Sequence, residues 1–144
     1  MQVSDKITLL NCDCMEYMAT LPDKAFELAI VDPPYGIGEF CMTGGDGGYK
    51  WEKKWDQDWN YSTPSVDYFS ELHRVSVNQI IWGANYYNCF GKNGGAIVWY
   101  KSVRHPNMSK CEIAAVSTHK KVEYIDIVWQ NVNRPKSPIH PCEK

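Results

Sequence analysis

The chain has 144 residues, 44% hydrophobic and 22% charged, with a formal net charge of −2. That length fits one domain with a sizeable core, and the balance is that of an ordinary globular protein rather than one with a global basic footprint for nucleic acid. No apolar stretch approaches a membrane span and no signal-peptide pattern opens the chain, so a cytoplasmic protein with no membrane partner is the expectation.

In chain order, Lys6 to Asn11 reads as a short buried strand. Asp13 then opens a helix that runs through Thr20, with Glu16 three residues on in a capping-box arrangement. Pro22-Asp23 closes it, and Phe26 to Val31 is the next strand. Strand, helix, strand in that order predicts parallel α/β architecture.

Residues 38–63 are irregular. Gly44-Gly45-Asp46-Gly47-Gly48 disfavours a fixed element, and Trp51, Trp55 and Trp59 recur among charged residues, which reads as a mobile flap. Pro64 starts a helix with Val66, Phe69, Leu72 and Val75 on one face. Gln79 to Trp82 is a third buried strand, ending at Gly83-Ala84-Asn85, and Ala96 to Trp99 a fourth after the turn at Gly91–Gly95. Glu112 to Ser117 and Val122 to Trp129 complete the strands, and 131–144, with three prolines, is an extended tail.

Six cysteines (Cys12, Cys14, Cys41, Cys89, Cys111, Cys142) contain no Cys-x-x-Cys, and the Cys12/Cys14 pair has no second pair or histidine couple, so they read as free thiols and no metal site is expected. Local basic groups such as Lys50, Lys53 and Lys54, Lys101 and Arg104, Lys120 and Lys121, and Arg134 and Lys136 read as solvated faces.

The chemistry concentrates at Asp32-Pro33-Pro34-Tyr35, directly after the strand Phe26–Val31. Ligands of open α/β sheets bind at the carboxyl ends of strands. A carboxylate, two prolines and an aromatic ring there form a rigid polar edge beside a flat apolar face, which suits a planar ring bearing an amine. The amine of adenine or cytosine is a poor nucleophile because its lone pair is delocalised into the ring. Two acceptors pulling on both amine hydrogens, the Asp32 carboxylate and the Pro33 carbonyl, would release that lone pair. Proline fixes its own φ and restricts the residue before it, so the carbonyl stays aimed. Tyr35 would stack on the base, for about 1–3 kcal/mol. The same residues also suit a strand terminator followed by a core tyrosine.

These residues carry a resemblance. Asp32-Pro33-Pro34-Tyr35-Gly36-Ile37-Gly38 resembles the catalytic motif of the amino-methylating DNA methyltransferases, the adenine-N6 and cytosine-N4 group. Leu10 to Glu16 is similar to the family's Asn-Gly-Asp-Cys-Leu-Glu segment, and Tyr68 to Val75 to its helix after the flap. Asn78 to Tyr87 resembles a segment of phage and prophage members, Ile97 to Lys101 their Trp-Asp-Lys strand, and Ile139 to Lys144 their Ile-His-Pro-Thr-Gln-Lys. Six such segments stand in family order. The resemblance implies a Rossmann-like sheet, S-adenosylmethionine as methyl donor, DNA as partner, direct transfer to N6 of adenine, Asp32 to Tyr35 as catalytic residues, and Asp13 near the cofactor adenosine. Cytosine-N4, an RNA adenine or a protein amide are alternative acceptors, and a non-catalytic nucleic-acid-binding remnant is the alternative of another class.

Two departures stand out. Cys12 replaces the family's glycine, and Tyr100 the aspartate before Lys101. The family's Phe-x-Gly-x-Gly cofactor segment follows its His-Pro-x-x-Lys-Pro motif, and no glycine-rich loop of that kind lies between Met1 and Lys144. The expectation is therefore the amino-terminal, catalytic part of a longer methyltransferase, idle by itself, lacking the central strands between those ending at Asn11 and Val31. A strand edge left open in this way predicts self-association or domain swapping.

Overall fold

The computed structural model describes residues 2–4, 7–38, 60–92, 94–101 and 109–127. The flap assigned to 38–63, with its three tryptophans, lies outside these residues except at its two ends, and the tail from 131 lies wholly outside.

The elements are β1 (Gln2–Ser4), β2 (Ile7–Thr8), α1 (Cys14–Ala19), β3 (Phe26–Val31), α2 (Val66–Val75), β4 (Ser76–Trp82), α3 (Ala84–Tyr87), β5 (Ala96–Tyr100), β6 (Cys111–Val116) and β7 (Val122–Asp126). Five of the strands form one sheet in the order β3-β4-β6-β5-β7. The protein is α/β with a mixed sheet, compatible with a Rossmann-like fold. Pairs β3–β4 and β5–β7 are parallel, whereas β6 runs antiparallel to both of its neighbours. The parallel expectation holds for β3–β4 and β5–β7 and is corrected at β6, because no helix intervenes between β5 and β6 among the described residues to carry a crossover.

The start of the chain also corrects the expectation. The described part of that run, 7–11, is not a buried strand: among these residues only Ile7–Thr8 is extended, and it pairs with β1 in a separate two-stranded sheet. Ile7, Leu9 and Leu10 are all more than half exposed, so this apolar run has no core to enter.

Asp13 caps α1 as expected, its Oδ1 accepting from the Met15 and Glu16 amides at 2.7 and 3.2 Å. Pro64 does not start α2. Ser65 is the N-cap, its Oγ accepting from the Tyr68 amide, and Pro64 stands just before it. Leu72 and Val75 are buried, but Val66, the first residue of α2, is 81% exposed.

β4 leaves α2 with no loop at all, three residues earlier than the sequence indicates. Ser76 makes this join. Its buried Oγ donates to Leu72 O, and it accepts from Gln79 Nε2, so the turn from helix to strand is satisfied internally. The core gathers residues of α2, β4 and β6, among them Leu72, Val75, Ile81, Ala114, Ala115 and Val116. A buried leucine or isoleucine there is worth about 1.5–3 kcal/mol.

Two cations tie the α1–β3 connection to this core. Arg74 donates to the Met18 and Leu21 carbonyls at 2.7 and 2.8 Å and to Asp23, while Glu71 takes its guanidinium in a fork. Lys24, at φ 55, reaches the His73 and Ser76 carbonyls with Nζ. Across the sheet, Lys101 is buried and paired with Glu112 at 2.6 Å. It is therefore not part of a solvated basic face, since the pairing of β5 with β6 brings the carboxylate beside it.

The described cysteines Cys12, Cys14, Cys89 and Cys111 are all thiols. Among the described residues no helix is long and apolar enough to cross a membrane, and no group of three metal-binding side chains assembles.

Candidate functional site

β3 stops at Val31 because two prolines follow Asp32 and offer no N–H to a ladder. Its parallel neighbour β4 is in register through Val31↔Ile81 and runs one residue further. Both chains therefore leave the sheet on the same side, and Asp32–Tyr35 lies beside Gly83–Tyr87.

This neighbourhood is closely fastened. The Tyr35 hydroxyl donates to Asp32 Oδ1 at 2.5 Å, and the Tyr35 amide donates to Oδ1 of the buried Asn60 at 3.0 Å. The Tyr35 ring stacks on Tyr86 with centroids 4.8 Å apart and planes 9° from parallel. The Tyr87 hydroxyl is shared between two carbonyls, donating to Pro33 O and, at 3.1 Å, to Pro34 O. Tyr87 in turn packs on Phe69 of α2, and Phe69 on Tyr68, so a run of aromatic rings connects α3 to α2.

Gly83 makes the approach feasible for two reasons. Its φ of 75° is left-handed, and a Cβ there would stand 2.3 Å from Tyr35 Cε1. Beyond the motif, Gly36 (φ 68) lies against Thr63 and Gly38 against Tyr61, so positions 36–38 and 61–63 run in contact.

Burial pushes the phenols of Tyr35 and Tyr87 well above the ordinary tyrosine range, and the Asp32 carboxylate adds to both shifts. Burial raises Tyr68 to about 12. All three therefore remain O–H groups at neutral pH, and the two nearest the motif are donors.

A cavity of about 510 Å³ opens beside the motif. Its walls include Met15 at the start of α1, Val31, Asp32, Pro33, Pro34 and Tyr68. Small-molecule sites span about 300–1,000 Å³ and are mainly apolar with few polar groups, which this lining matches. Asp32 is the one carboxylate among its lining residues, beside the hydroxyls of Ser62, Thr63 and Ser65.

Of the sequence-derived residues, Asp32, Pro33 and Pro34 line the cavity. Tyr35 turns instead toward Tyr86 and Gly83. Asp13 is not a lining residue; it acts through the cap that fixes Cys14 and Met15, which are.

The sequence reading missed Asn60, Tyr86 and Tyr87. Parallel strands in register place the residues after each strand side by side, so the aromatics following β4 had to lie near those following β3. That signal was present for the tyrosines. None existed for Asn60, which returns from 25 positions away.

Set against known proteins, the chain matches no protein-family model, no curated protein and no solved structure.

Proposed function

We propose that this chain carries the base-binding and catalytic part of an S-adenosylmethionine-dependent DNA methyltransferase acting on N6 of adenine. One observation carries the reading. The Asp32 carboxylate and the Pro33 carbonyl stand at one strand end, and each already receives a hydroxyl donor. Two acceptors on adjacent residues suit the two hydrogens of an exocyclic amine. Drawing on both hydrogens localises the nitrogen lone pair, and donors and acceptors fixed before reaction need no reorganisation during it. The base would lie on the face of Tyr35 turned away from Tyr86.

Bound S-adenosylmethionine supplies an electrophilic methyl group. Met15, Val31, Pro34 and Tyr68 would hold its adenosine part in the cavity, with Asp13 keeping the start of α1 in place. Asp32 faces the same cavity and would draw its positive charge toward the amine side.

Among the described residues the outer edge of β3 is unpaired, which supports a further part of this reading, that central strands of the methyltransferase sheet are supplied from outside the described residues or by a second copy. Nucleoside mass spectrometry of DNA from cells expressing the gene tests the activity. N6-methyladenine that disappears with Asp32→Ala is the expected result. N4-methylcytosine would move the assignment to that base, and neither product would overturn it.

A further inference from the structure

The two prolines leave one freedom in the acceptor they present. Proline sets φ of Pro33, and the following proline confines ψ of Pro33 to about 120–160°. A carbonyl swings with ψ, so its direction still ranges over about 40°. The Tyr87 hydroxyl lies on this carbonyl and on the next one. Burial keeps the phenol protonated, and the ring is braced by Phe69 on one side and Tyr35 at 6.2 Å on another.

We propose that Tyr87 is the positioning residue of the site, holding the Pro33 carbonyl at the angle from which it accepts an amine hydrogen. The inference rests on the amine-binding reading above. A carbonyl oxygen has two lone pairs, so Tyr87 keeps its hold on one while the amine takes the other. The second acceptor at Pro34 gives the hydroxyl a place to lean as the amine arrives, without losing its bond. Tyr87 touches neither the base nor the donor.

The probe is a single-stranded thymidine hexamer carrying one adenine, compared with the same hexamer carrying unsubstituted purine at that position. Thymine has no exocyclic amine, and a single strand avoids the cost of extruding a base from a duplex. The full chain is titrated by fluorescence with each hexamer. The wild type is expected to bind the adenine hexamer the more tightly. Tyr87→Phe is expected to cut that preference about fivefold, the worth of one hydrogen bond, while affinity for the purine hexamer stays unchanged.

A preference kept intact in Tyr87→Phe overturns the positioning role and leaves the proposed function standing. Equal weakening toward both hexamers reduces Tyr87 to a packing residue and overturns it too. A wild type with no preference sinks the amine-binding reading and this inference together. Should Tyr87→Phe fail to fold, 4-aminophenylalanine at position 87 keeps a weaker donor on the same ring. An intermediate preference is then expected, and an unchanged one overturns the proposal.

Discussion

β3 lives in two environments. Its carboxyl end is held by the Tyr35, Asn60 and Tyr87 side chains, and its prolines are at least half-buried. Its body is an outer strand of the sheet. Phe26, Leu28 and Ile30 alternate onto one face and are 42, 43 and 62% exposed. A strand of this composition would ordinarily be covered on that side. The difference teaches that order at the site does not come from depth. It comes from hydroxyl and amide bonds to backbone groups and from rings packed at the strand end.

The largest effect is expected at the fastened end. Gly83→Ala places a methyl group against the Tyr35 ring and strains a left-handed residue, each costing about 1–3 kcal/mol. Thermal unfolding should fall by several degrees, and the near-ultraviolet dichroism of the stacked tyrosines should weaken. An unchanged melt would mean that Tyr35 does not rest there in solution.

Asn60→Ala comes next, leaving the Tyr35 amide without its acceptor for about 1–3 kcal/mol, measured by denaturant unfolding.

The exposed body should respond oppositely. Ile30→Lys is expected to change unfolding free energy by no more than about 0.5 kcal/mol, because the side chain already meets solvent. The same variant should lower self-association in sedimentation equilibrium if the open edge pairs between copies. A large loss of stability would show that this face is covered in solution, and the contrast between the two ends of β3 would collapse.

The smallest effect concerns pH. The Arg74 guanidinium holds the Glu71 carboxyl below its ordinary range. A carboxyl depressed by folding stabilises the protein above its ordinary range, and that contribution disappears as pH falls through the depressed value. Wild type should therefore exceed Glu71→Gln in stability at pH 7, and the gap should close below about pH 4. A gap that persists in acid would assign the effect to packing.

Much of this was legible beforehand, for definite reasons. β3 was read with its observed limits because an apolar run ends at two prolines. The cap at Asp13 was read because capping needs only residues two and three positions away. The early strand failed because Ile7, Leu9 and Leu10 have the composition of a core strand but no partner in the main sheet. The antiparallel β6 failed because strand direction is set by pairing partners, which local pattern does not contain. At the site, Asp32 and its neighbours announced themselves through rare local chemistry. Asn60, Tyr86 and Tyr87 did not, since a tyrosine becomes a carbonyl clamp only through what lies opposite it.

The contact of Gly36 with Thr63 and of Gly38 with Tyr61 has a consequence for exchange. Chain that departs and returns at one point is attached like a cartridge in a socket. The entropy of closing such a segment rises only by about 0.6 kcal/mol for each doubling of its length. The seat made by 36–38 against 61–63 should therefore depend little on the length of the chain that joins them.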